Sequence, residues 1–365
     1  MYTLNIFPGI SHSDLLHLLL RARRDTAWDS LRLVGLHPED VQVVKSTLLH
    51  FLVEAQIKGE NHWNSLLLFW LVPSKELEDL IQAILGLDIF HAVYFKCPSP
   101  TSPLLPTTAS SMTIPLTVLS AALMSPSVEK ITFCNSHVSV ECAQLLRDHV
   151  LRRCTEAPQN SPGQVEWATT TTTTHNALDI PEKREYTPLH ALEFITCVFQ
   201  DNAFPFIATA IQNLFTLDSV KFWYCELPYH HQCLLLQSLQ DHPSITRLDW
   251  MERVILWNER SEEEVEDLVA SPPPELSLEE VLDRTLSSTK CRIRVLGLSV
   301  GSLVTVGSLL SRLSENDSVE WLDLSYNGTG STGMVPNQES EGQVFGKLYK
   351  FRNLHNLDLF CTRLS

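Results

Sequence analysis

Basic residues are scarce in this sequence: 27 Lys and Arg stand against 43 Asp and Glu, a formal charge of −16. A face basic enough to track a phosphate backbone is not expected, so no nucleic-acid partner is assigned. A long apolar run is missing too. The most apolar stretch, SLLLFWLV at 65–72, falls far short of the roughly 20 residues that cross a bilayer. It reads as a buried strand, and no membrane association is expected. The opening residues, MYTLNIFPGISHSDLL, lack the basic n-region, apolar core and small-residue cleavage site of a signal peptide. Cys97, Cys134, Cys142, Cys154, Cys197, Cys225, Cys233, Cys291 and Cys361 make an odd number with no CxxC pair. That usage points to a reducing compartment, the cytoplasm with the nucleus left open. Without a secretory signal, the sequons at Asn316 and Asn327 read as chance.

Signatures of catalysis are equally thin. There is no Walker loop, GxGxxG, HExxH or EF-hand loop, and neither cofactor nor metal is expected. His230, His231 and Cys233 suggest a metal at first sight, but helical neighbours project about 100° apart and do not share one tetrahedral ion. One motif has to be weighed. Gly297-Leu298-Ser299-Val300-Gly301 fits G-x-S-x-G, and Asp323 and His355 follow in hydrolase order. The alternative function is therefore a serine hydrolase or esterase with Ser299 as nucleophile. Against it, no HGGG-type segment precedes the motif, the elbow comes late in the chain, and Leu298 is wanted by the core. A non-catalytic protein is the expectation.

What the sequence has is a recurring phrase. In DSVEWLDLSYNG, Val319, Leu322, Leu324 and Asn327 stand at positions one, four, six and nine. Copies of the apolar spacing begin at Trp28, Trp63, Phe90, Val128, Leu189, Ile245, Ile293 and Leu354, with an ambiguous one assigned to Val220. In that copy, SVKFWYCEL, either Phe222 and Tyr224 or Trp223 and Cys225 point inward. Between copies run DVQVVKSTLLHFLVEA, KELEDLIQAIL, VECAQLLRDHVLRR, PFIATAIQNLF, HHQCLLLQSLQD and SLVTVGSLLSRLS. All are apolar at i, i+3, i+4 and i+7, the mark of an amphipathic helix.

The phrase L-x-x-L-x-L-x-x-N resembles the strand segment of a leucine-rich repeat, and several intervals fall within the family's roughly 20–29 residues. With a helix in every unit, the chain is most similar to the ribonuclease-inhibitor-like class. The resemblance implies an α/β solenoid, a horseshoe with a parallel concave sheet of about ten strands and helices on the convex side. A doubly wound sheet is the competing architecture. Position nine is Asn once only, being Leu36, Leu71, Pro98, Ser136, Cys197, Arg253, Gly301 and Thr362 elsewhere. A continuous Asn ladder is not expected.

The division follows from composition. Residues 1–26 form a capping-helix region, with Ser11 or Ser13 capping a helix that ends in arginines. Residues 27–154 carry the N-terminal repeats, interrupted by a Pro/Ser/Thr-rich loop at 97–113. A Thr- and Pro-rich insertion occupies 155–187, too polar to order itself. The C-terminal repeats fill 188–365, with an acidic loop at 256–275 whose carboxylates repel one another. A capping box follows at Ser277 and Glu280. No polar cap follows the last repeat phrase, so a partner or further chain is expected to cover that end.

Once positions four and six are buried, period-two geometry turns positions three, five and seven outward. In the C-terminal repeats those positions include Arg247, Asp249, Met251, Trp321, Asp323, Asp358 and Phe360, with Tyr326 beside them. Carboxylates among aromatics suit a basic segment of a protein partner. Gly297, in the same column, should leave a depression. Further back, Leu67, Phe69 and Tyr94 occupy the outward columns, where a covering loop or an apolar partner surface is expected.

Overall fold

A computed structural model describes residues 2–25, 28–59, 63–69, 74–97, 114–156, 189–200, 202–225, 227–252, 278–299, 306, 307, 310, 315–325, 327 and 346–360. The 97–113 loop beyond Cys97, most of the 155–187 insertion, the acidic loop, Ser277 and most of the segment 302–314 lie outside the described residues.

In chain order the elements are β1 (Tyr2–Ile6), α1 (His12–Arg24), β2 (Trp28–Val34), α2 (Pro38–Ile57), β3 (Ser65–Phe69), α3 (Lys75–Leu85), β4 (Ala92–Lys96), α4 (Leu116–Met124) and β5 (Lys130–Cys134). There follow β6 (His137–Val138), α5 (Val140–Glu156), β7 (Ala191–Ile195), β8 (Val198–Phe199), α6 (Phe204–Asn213), β9 (Ser219–Cys225) and α7 (Tyr229–Leu239). The last described are β10 (Arg247–Glu252), α8 (Leu278–Ser287), β11 (Val295–Ser299), β12 (Trp321–Asp323) and β13 (Asn356–Asp358). Eleven strands make one sheet in the order β1-β2-β3-β4-β5-β7-β9-β10-β11-β12-β13, while β6 and β8 pair on the strand exits. From β1 to β11 each main-sheet strand of the described residues is followed by a helix before the next.

Every pair in the sheet is parallel. A doubly wound sheet reverses its order at a switch point, and this order never reverses. Each helix from α1 to α7 also packs against the next, so the described helices form one layer. The chain is an α/β solenoid of the leucine-rich-repeat type.

The inward columns explain why. Position four runs through Leu4, Leu31, Leu66, Val93, Ile131, Leu192, Val220, Leu248, Leu296 and Leu322, all buried. Position six changes from aliphatic to aromatic in mid-array. Phe95, Phe133, Phe194 and Phe222 stack at centroid spacings of 5.6, 5.1 and 5.0 Å, close to the strand spacing itself. Trp250 continues the row.

Three expectations need correction. The N-terminal segment supplies an eleventh strand, β1, with Leu4 and Ile6 buried, ahead of an α1 capped by Ser11. The ambiguous copy begins at Leu217, not Val220: Val220 and Phe222 pair with Leu248 and Trp250. Neither expected alternative holds in full, since Phe222 and Cys225 are buried while Tyr224 is exposed. Tyr224 takes φ +54°, which rotates the next residue inward. The same left-handed turn recurs at Gly35, Asn135 and Thr196, position eight of their units. There the backbone N–H of Gly35, Asn135 and Thr196 donates to the position-seven carbonyl of the next strand.

The exits are bound by a mixed ladder. Cys197 Sγ donates to Phe133 O (3.3 Å), Cys225 Sγ to Phe194 O (3.5 Å), and Asn327 Nδ2 to Leu298 O (2.7 Å). In each case position nine reaches the position-six carbonyl of the preceding unit. Cysteine thus takes the place of asparagine, with a weaker donor. Burial pushes the Cys197 thiol well up, and nearby it raises Cys134 to about 11 and Cys142 to about 12, so these three stay protonated and unreactive.

One buried histidine makes the fold pH-sensitive. Between α7 and β10, His242 donates from Nε2 to Ile211 O (3.1 Å) and accepts at Nδ1 from the backbone N–H of Ser244 and Ile245. Protonating Nδ1 would set an N–H against two others. Burial holds the His242 pKa below 6.5, with the Ile211 bond opposing. The unfolded chain therefore binds this proton first: the stabilisation is complete above 6.5 and is lost as pH falls from there through the lower folded value. Urea midpoints at about pH 7.5 and 5.5 should show this loss, and His242→Asn should show less of it. An unchanged pH dependence in the variant would remove His242 as the cause.

Candidate outward-face site

The sheet face opposite the helices carries the outward columns. The registers bring Asp249, Gly297, Asp323 and Asp358 into one row on four consecutive strands, with Arg247, Val295, Trp321 and Asn356 in the row beside it. Met251 lies next to Ser299. Trp321 is 44% exposed and Phe360 62%, while Asp249 is 3% exposed and Met251 is buried. Tyr326 lies outside the described residues.

The carboxylates differ in what holds them. Asp249 Oδ2 accepts from Arg247 Nε (2.7 Å), with Lys221 Nζ 4.0 Å away. It is a neutralised group. Its Oδ1 leans over Gly297, only 2.9 Å from where a Cβ would stand. The depression expected there is thus partly filled, and a small pocket remains between Trp223, Asp249, Met251, Ser299, Asp323 and Ser325. Asp323 and Asp358 each accept, at Oδ1, from the backbone N–H two residues on, Ser325 (2.9 Å) and Phe360 (3.0 Å). These are local turns that fix the carboxylates, and the second oxygen of each has no donor among the described residues.

A network missed in the sequence lies one step toward the N-terminus. Glu193 is 6% exposed. It accepts from Lys130 Nζ (2.8 Å) and Thr132 Oγ1 (3.0 Å), with Lys221 Nζ at 3.6 Å. Lys221 also lies over the Trp223 ring at 4.1 Å. Reading the position-five column upstream, Thr132, Glu193, Lys221, Asp249, would have found the alternation.

The residues of the hydrolase alternative are not brought together. Ser299 is a strand residue paired with Met251 and only 4% exposed, not the tip of a sharp turn. By register His355 aligns with Arg294, five residues before Ser299. That is roughly 16 Å along the strands at about 3.3 Å per residue, and two strands across. Among the described residues no His, Cys, Asp and Glu cluster could hold a metal. No described helix is long and apolar enough to cross a membrane.

No family model matches the sequence, and no curated protein matches it. Among solved structures, one titled "Crystal structure of TLR13-ssRNA13 complex" is similar at 12% identity and a TM-score of 0.38. The match covers 91% of this chain and 32% of that one, so the chain spans about a third of that structure's length. At that score the likeness carries no argument. The fold assignment rests on strand order and register.

Proposed function

We propose that this chain is a non-catalytic protein-interaction scaffold of the ribonuclease-inhibitor-like class, which takes a basic segment of a protein partner on the outward face of β10–β13. The observation that carries this reading is the alignment of Asp323 with Asp358 on neighbouring strands, beside an indole that the fold leaves 44% exposed. Adjacent strands lie about 4.8 Å apart, so one short segment can touch all three side chains. Asp249 belongs to the base of this site, since Arg247 already satisfies it. Arg247, Met251 and Phe360 frame it, and Tyr326 follows Ser325 in sequence. The free thiols Cys134, Cys142, Cys197, Cys225 and Cys291 support a cytoplasmic setting.

Proximity labelling in the native cell would identify the partner, and its affinity would then be measured against variants. Trp321→Ala should cost about 2 kcal/mol or more, as an anchor does, whereas each exposed carboxylate should cost under about 1 kcal/mol. Association should slow as salt screens the attraction. Unchanged affinity in Trp321→Ala and in Asp323→Asn/Asp358→Asn, with circular dichroism intact, would move the site off this face.

A further inference from the structure

The other end of the same face has the opposite sign. The outward columns of β1–β4 hold two cations, Arg32 and Lys96, and no carboxylate; those of β10–β13 hold Asp249, Asp323 and Asp358 against Arg247. Elsewhere in the chain several cations stand beside carboxylates. Lys130, Lys221, Arg247, Arg23, Arg294 and Arg352 each have one within 4 Å. Arg32 and Lys96 have none among the described residues.

Both lean instead on one ring. The Arg32 guanidinium stands 4.6 Å from the centroid of Phe69, and Lys96 Nζ stands 4.9 Å from it. The two charges therefore cannot be farther apart than about 9.5 Å, those two distances laid end to end. Within that bound like charges repel, and an anion seated by the ring is attracted by both. Arg32 Nε is buried with no acceptor among the described residues, a donor left without a bond. Leu67 and Tyr94, half-buried on the same columns, supply apolar ground around the ring.

We propose that Arg32, Phe69 and Lys96 form an anion-accepting subsite for an Asp or Glu side chain of a protein segment that lays an apolar neighbour on Leu67 and Tyr94. Placing a protein segment on this face rests on the function proposed above; the sign of the subsite does not. Arg32 can give a carboxylate a charge-assisted bond and Lys96 can add a second. Overall charge opposes the encounter, because an acidic segment is repelled at long range. Acidic preference on this chain can only arise from a local site.

That makes a random dodecapeptide library displayed on phage a decisive probe for the full-length chain. Peptides selected on the wild type should be enriched in Asp or Glu beside an apolar residue. The enrichment should vanish on Arg32→Gln/Lys96→Gln and persist on Asp323→Asn/Asp358→Asn. A selected acidic peptide should bind the first double variant about tenfold more weakly or worse. Lys96→Glu alone, with circular dichroism checked, leaves Arg32 facing a carboxylate and should abolish the acidic enrichment. A wild-type pool with no acidic enrichment over the unselected library overturns the proposal, as does enrichment indifferent to Arg32 and Lys96. Failure of the earlier reading looks different: basic residues would show no enrichment that depends on Asp323 and Asp358.

Discussion

Phe194→Ala should lower the stability of the chain by about 3–5 kcal/mol, the range for deleting a buried aromatic side chain. The ring is fully buried and stacks on Phe133 at 5.1 Å and on Phe222 at 5.0 Å, with Phe199 edge-on at 5.3 Å. Truncation opens a cavity and takes a partner from three rings at once. Phe194→Leu keeps most of the volume and should cost clearly less. Because each unit of a solenoid touches only its neighbours, a gap at β7 also weakens coupling between the two halves. The urea transition should therefore broaden as well as move. A loss below about 1 kcal/mol would mean that the neighbouring rings close the gap.

Glu193→Ala should cost about 2–4 kcal/mol. Breaking a buried ion pair from one side typically costs about 3–5 kcal/mol. The figure is reduced here because the Lys130 side chain is 31% exposed and Lys221 16%, so each ammonium can turn toward water. Thr132, fully buried, loses the acceptor of its hydroxyl. The interaction has a pH signature. Burial alone would raise the Glu193 pKa, but the Lys130 hydrogen bond and the Lys221 and Lys130 charges outweigh it and hold the carboxyl below 4.5. Its stabilising contribution is complete above 4.5 and is lost as pH falls through the lower folded value. Chemical denaturation at about pH 7 and pH 3 should show a wild-type loss that shrinks in Glu193→Ala. Equal acid sensitivity in both proteins would sink the assignment.

Most of the array was legible because its signals are periodic. Leu31 and Leu33, Ile131 and Phe133, Leu322 and Leu324 all sit where the repeat phrase puts them, and α3 covers KELEDLIQAIL end to end. Misses came where a local signal was weak or of another kind. Helix α4, LTVLSAALM, is apolar on nearly every side and follows a Pro-rich stretch, so no polar stripe marks it. In β9 the run KFWYC offers apolar residues at every step, and only the left-handed turn at Tyr224 settles which are buried. The position-nine role of Cys225 followed once the phrase was shifted to Leu217. For the candidate site, the columns were readable but the partners were not. Arg247 on Asp249, Lys130 on Glu193 and the paired cations on Phe69 depend on which unit is adjacent. An insertion between units hides that adjacency from the linear sequence, as between β5 and β7.

The unbroken strand order has a consequence for biogenesis. A sheet that never doubles back asks no strand to wait for a distant partner. As the chain leaves the ribosome, each new β-segment meets the edge of the one made just before it, and its helix then seals the unit. Translation direction and assembly direction coincide, so the folding edge advances with synthesis while only one seam at a time stays exposed to mispairing.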